Sequence, residues 1–149
     1  MDTVLMIAFA IMLIFVTVVD MKKRVIPNGF IMIIGIIAVM AMVFQENLTF
    51  FNRLMGFLCV SLILLVMTLL VPNAFGGGDI KLMAVCGFYL GVHLTLLSFV
   101  FAVFGGGLYG IWLLVVKNKG RKEHFAFGPF LCGGMMIAML FGLANGLWI

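Results

Sequence analysis

The chain has 149 residues, 66% of them hydrophobic and 9% charged, with a formal net charge of +4. An average soluble domain carries roughly 45–50% apolar and about 25% charged residues, so nine basic and five acidic side chains cannot cover a water-exposed surface of this size. This excludes a cytosolic domain, a secreted disulfide scaffold and a disordered tail, and the few basic residues, spread over short connections, argue against a nucleic-acid partner.

A membrane-spanning helix needs about 20 mainly apolar residues. The length therefore predicts an all-α bundle of about six transmembrane helices in the lipid bilayer, a single membrane domain over 1–149 with no extramembrane domain. The first apolar run is 3–19, closed by Asp20-Met21-Lys22-Lys23-Arg24. Its positive charge follows the run, whereas a cleaved secretory signal carries it in front, so the run reads as a retained span. The second run is 29–44. A polar connection over 45–53 leads to the third, 54–71, which Pro72-Asn73 ends, and Phe75-Gly76-Gly77-Gly78-Asp79 reads as a loop. The stretch 80–116 would be about 55 Å long as one helix, too long for a hydrocarbon core of about 30 Å. It is expected to break near Gly91-Val92-His93 into helices over 80–90 and 94–116. A basic loop at 117–123 precedes the last span, 127–148.

Charge orients these spans. With six of them, the connections 20–28, 72–81 and 117–126 share one side and hold eight of the nine basic residues, leaving Arg53 opposite. Basic loops stay cytoplasmic, which puts both termini outside and these three connections at the cytoplasmic face of the inner membrane. Cys59, Cys86 and Cys132 lie within apolar runs without CxxC spacing and read as small buried hydrophobes.

Asp2, Glu46 and Glu123 read as solvated charges. Asp20 and Asp79 are different, because each sits at the edge of an apolar span on the same side. An ionisable group near membrane depth is a functional candidate; a helix end in the headgroup region is the alternative for each taken singly. Two neighbouring carboxylates resist joint ionisation and share a proton, the arrangement of an aspartic-protease dyad. Gly76, Gly77 and Gly78 lack Cβ and would let an extended chain approach beside Asp79. Such chemistry requires no metal and no cofactor.

Two motifs carry a resemblance. Asp20-Met21-Lys22-Lys23-Arg24-Val25-Ile26-Pro27-Asn28 resembles the first-aspartate motif of the type IV prepilin peptidases. Gly76-Gly77-Gly78-Asp79-Ile80-Lys81-Leu82-Met83-Ala84 resembles their second, the GxGD signature of membrane aspartic proteases. Phe127-Gly128-Pro129-Phe130 also resembles the family. The resemblance implies a membrane aspartic endopeptidase with Asp20 and Asp79 as its catalytic pair. It would remove the short basic leader from type IV prepilins or pilin-like proteins at the cytoplasmic membrane face. With only 20–28 between the first spans and no CxxC, the chain resembles the short peptidase-only members, without a methyltransferase segment. The preflagellin peptidases share the dyad, so the same chemistry also fits that substrate.

Supporting roles are open at this stage. Lys81 could tune Asp79, bind substrate or anchor topology. Pro27 and Asn28 suit the start of the second helix and would support Asp20. His93 and His124 read as helix-turn and loop residues, and Gly105, Gly106, Gly107 and Gly110 as close-packing positions. A small transporter or ion pathway using the same two aspartates is the competing class, and a non-catalytic assembly subunit is the third. The residues do not specify an oligomeric state.

Overall fold

The computed structural model describes residues 2–44, 48–71, 75–116 and 127–146. The described residues fold into five helices with no strand: α1 (Asp2–Lys23), α2 (Asn28–Phe44), α3 (Phe50–Leu70), α4 (Gly77–Val116) and α5 (Gly128–Asn145). Four of these are long and apolar enough to cross a membrane, and α2 is a shorter apolar helix. Large apolar side chains such as Leu69, Leu70 and Val115 point outward. Such a surface suits lipid and not water, and the chain is a multi-pass membrane protein. The Pro72-Asn73 stop, Glu46, Lys117, Lys119, Arg121, Lys122, Glu123, His124 and the end of the last run at Trp148 lie outside the described residues.

The helix bounds follow local chemistry. Helix α1 runs one turn past Asp20 instead of stopping before it. It closes where Arg24 takes a left-handed conformation (φ 52°) and its N–H donates to the Asp20 carbonyl, 2.8 Å away. Helix α3 begins earlier than expected, because the Thr49 hydroxyl caps it by accepting the Asn52 N–H. That extension moves Arg53 from the expected connection into the bundle, where it is fully buried.

Helix α4 is broken at Gly91 (φ 74°, ψ 176°), within the expected window. A break strands a carbonyl on one side and an N–H on the other, and in lipid both must find partners. Two adjacent residues of α3 supply them. Asn52 Oδ1 accepts the Val92 N–H at 2.9 Å, and Arg53 Nη1 donates to the Phe88 carbonyl at 3.5 Å. Arg53 Nη2 also donates to the Ala41 carbonyl in the last turn of α2, at 3.3 Å. His93 is exposed beside the break.

Close helix packing lies elsewhere than the glycine cluster suggested. Gly56 and Gly87 press backbone to backbone between α3 and α4, and Gly134 of α5 meets the backbone of Ser98 and Ala102. Gly105 and Gly106 do face a neighbour, since they admit the rings of Phe130 and Phe127. Gly107 and Gly110 border open space, so they do not serve as packing positions within the described residues. A single core of Phe9, Leu13, Ile34, Leu64, Leu82, Met83 and Leu131 joins all five helices, with Phe9 stacked on Tyr89 at 4.1 Å.

Candidate active site

Asp20 stands in the last turn of α1 and Asp79 in the first turn of α4. Each is placed by a helix end. Gly76 precedes α4, and its carbonyl accepts the Asp79 N–H at 3.0 Å and the Ile80 N–H at 3.4 Å. Asp79 is then the third residue of the helix, and its carboxylate turns back toward the Gly76 N–H. This is one half of a capping box, with aspartate in the place of the usual glutamate; Gly76 has no side chain to return the second bond. The positive end of the helix dipole lies beneath it.

The two carboxylates come together at a residue of a third helix. A Cβ at Gly128, the first residue of α5, would collide with Asp20 Oδ2 and lie 3.3 Å from Asp79 Oδ1. The Gly128 backbone N–H faces the Asp20 carboxylate. Asp20 is 4% exposed and Asp79 8% exposed, and Asp20 Oδ2 has no hydrogen-bond partner in the structure. Burying two carboxylates side by side is costly, which makes the pair the candidate site.

A cavity of about 180 Å³ opens next to the pair, lined by Asp20, Arg24, Val25, Ile26, Gly76, Gly77, Gly78 and Asp79. Both sequence motifs thus line one wall each. Gly76 and Gly77 are exposed, while Gly78 packs on Ile26, whose Cβ would stand 3.1 Å from an added Cβ. Close approach is therefore needed at Gly78, whereas Gly77 has no atom within 4 Å of an added Cβ.

The supporting residues divide. Pro27 caps α2 through its carbonyl, which accepts the Phe30 N–H at 3.1 Å. Lys81 donates to Asn28 Oδ1 at 3.5 Å, linking α4 to α2 on the exposed side. It makes no ion pair with Asp79. All three cysteines are free thiols, with Cys86 and Cys132 buried in the core. Among the described residues no group of three or more His, Cys, Asp or Glu side chains could hold a metal ion.

The two aspartates share one point at the ends of α1 and α4, and are not spread along a path through the bundle. The model of the type IV leader peptidase family matches residues 7–111, a span that holds both aspartates. The chain belongs to the type IV leader peptidase family. It is 31% identical over 136 residues to a prepilin leader peptidase/N-methyltransferase of Bacillus subtilis, covering 91% of this chain and 55% of that one. Proteins of the same description from Legionella pneumophila (37% over 68 residues, 45% of this chain and 23% of that one) and Pseudomonas putida (34% over 70 residues, 47% and 24%) are also similar. The chain thus spans little more than half of the Bacillus subtilis relative and about a quarter of the other two. No solved structure matches it.

Gly128 stands in the Phe127-Gly128-Pro129-Phe130 run that resembles the family, but the sequence assigns it no role at the site. Its signal was a glycine followed by proline at the start of a helix, with Pro129 inside the first turn of α5. That pattern identifies a helix start, but not what the helix start touches.

Proposed function

We propose that this chain is a membrane aspartic endopeptidase that removes the basic leader from type IV prepilins or pilin-like proteins. The observation that carries the reading is the meeting of two buried carboxylates, Asp20 and Asp79, beside a cavity walled by both family motifs. Family membership supports the substrate class.

In this reading one carboxylate is ionised and the other protonated. The ionised member takes a proton from water, and the water oxygen attacks the scissile carbonyl carbon. The protonated member gives its proton to the carbonyl oxygen, and a gem-diol forms. A carboxyl then passes a proton to the amide nitrogen. The C–N bond breaks, and a diol hydroxyl returns its proton as the new carboxyl group forms. One water is consumed, and both aspartates regain their starting states. The low-polarity surroundings strengthen each of these interactions.

The chain crosses the bilayer six times, with Gly91 dividing α4 between two spans, and the connections 20–28, 72–81 and 117–126 face the cytoplasm. Eight of nine basic residues on one side support that orientation. Arg24, Val25, Ile26 and Pro27 join α1 to α2, a short connection that supports reading this chain as a peptidase core.

Incubating the purified protein with a prepilin and weighing the products tests the reading. A leader and a shortened pilin are expected. An intact precursor with a folded enzyme would overturn it. Topology is tested separately by single-cysteine labelling at position 118 in a cysteine-free background, where labelling from outside intact cells would contradict six spans.

A further inference from the structure

We infer that Gly128 is a positioning residue of the active site, and that its missing side chain keeps the Asp20 carboxylate aimed at Asp79. This deepens the peptidase reading and rests on it.

Three independent contacts fix Gly128 where it is. Phe127 inserts its ring over Gly106 of α4, so close that a Cβ there would lie 2.7 Å from the ring. The same ring meets Phe75 edge-on at 5.2 Å, next to the Gly76 turn that carries Asp79. Phe130 packs over Gly105 and against Tyr109 at 5.4 Å. The start of α5 is therefore held against both α4 and the Asp79 turn, and cannot retreat to admit a larger residue.

At that position the one direction open to the Cβ of an L-residue is already occupied by the two aspartates. That Cβ would collide with Asp20 Oδ2 and press on Asp20 Cγ at 2.9 Å, with Asp79 Oδ1 at 3.3 Å. Contacts below about 3 Å between such heavy atoms cannot persist, so something must move. Asp20 is the part that can move, because Oδ2 is the far end of a side chain whereas the Gly128 N–H that faces it is backbone. A methyl at position 128 would swing the Asp20 carboxylate away from Asp79, and a displacement of about 1 Å costs on the order of 10²-fold in rate. Gly128 is the first residue of α5 and precedes Pro129, where a Cβ itself disfavours the helical conformation, so the collision with Asp20 has to be separated from that local cost by removing the Asp20 side chain.

The test compares Gly128→Ala with Gly133→Ala, a position on the same helix where an added Cβ meets nothing within 4 Å. Gly128→Ala should lower kcat about 100-fold with KM changed less than about threefold, and Gly133→Ala should leave both unchanged. Thermal stability supplies a readout independent of cleavage. Gly128→Ala should lower the melting temperature when Asp20 is present, and should lower it less in an Asp20→Ala background, where the collision is gone and only the cost of a Cβ before Pro129 remains. If Gly128→Ala does not fold, Asp20→Ala/Gly128→Ala should. A normal kcat for Gly128→Ala, or an equal stability loss with and without the Asp20 side chain, would overturn the inference. If instead Asp20→Asn cleaves normally, the dyad reading itself fails, while the stability comparison still decides whether position 128 presses on Asp20.

Discussion

Two regions of this bundle bury polar groups, and they treat them in opposite ways. At the Gly91 break the separated Val92 N–H and Phe88 carbonyl both find partners on α3: Asn52 takes the first and Arg53 donates to the second, as well as to the Ala41 carbonyl of α2. About 18 Å along α4 from there, at its first turn, Asp20 and Asp79 converge on Gly128 beside a cavity. The difference separates architecture from chemistry. A buried charge whose hydrogen bonds end on backbone carbonyls is holding helices together. Two buried carboxylates that meet beside a cavity lined by both motifs are the candidate reactive pair.

The sharpest way to break this comparison is to remove the reactive pair. Asp20→Asn and Asp79→Asn should each lower prepilin cleavage by more than about 10³-fold, and the double variant should be little worse, because the pair acts as a unit. Folded protein in the membrane should be unchanged. A multiplicative loss in the double variant would mean that the two act independently. Asp→Glu at either position should lose about 10²-fold, since one methylene moves the carboxylate by about an ångström.

The region of the break should fail in stability and not in chemistry. Arg53→Ala removes donors to two helix-end carbonyls and should cost about 3 kcal/mol, read as a lower melting temperature in detergent. Asn52→Ala should cost about 1–2 kcal/mol by stranding the Val92 N–H. Both should retain wild-type cleavage per folded molecule. A selective loss of kcat with unchanged stability would erase the distinction drawn between the regions.

Gly56→Ala tests the α3–α4 contact that lies close to the break. Its Cβ would enter the backbone of Gly87 and Gly91, and overpacking of this kind costs about 1–3 kcal/mol. The smallest effect is expected at Lys81. Its exposed hydrogen bond to Asn28 is weak, so Lys81→Ala should change cleavage by less than about fivefold.

Much of this was legible in the sequence. Hydropathy sets the helices, the excessive length of 80–116 requires a break, and Gly91 is where it falls. Asp20 and Asp79 stand out because carboxylates are rare in apolar runs. Three features were hidden, all for the same reason: they depend on which helix faces do meet. Arg53 reads as a loop charge until Thr49 is seen to start α3 earlier. Gly56 and Gly87 look like isolated glycines, whereas the cluster at 105–110 looks like a packing motif but is only half used. Gly128 looks like a helix start, and only the tertiary arrangement puts it between the aspartates. One-dimensional patterns record what each helix is made of; the register between helices is set by packing.

The most direct test of the central claim is mass spectrometry of a prepilin incubated with this chain alone, purified in detergent, beside its Asp79→Asn variant. The account predicts a leader and a shortened pilin whose masses together equal the precursor plus one water, and only intact precursor with the variant. Equal cleavage by both proteins, at equal folded protein, would contradict it.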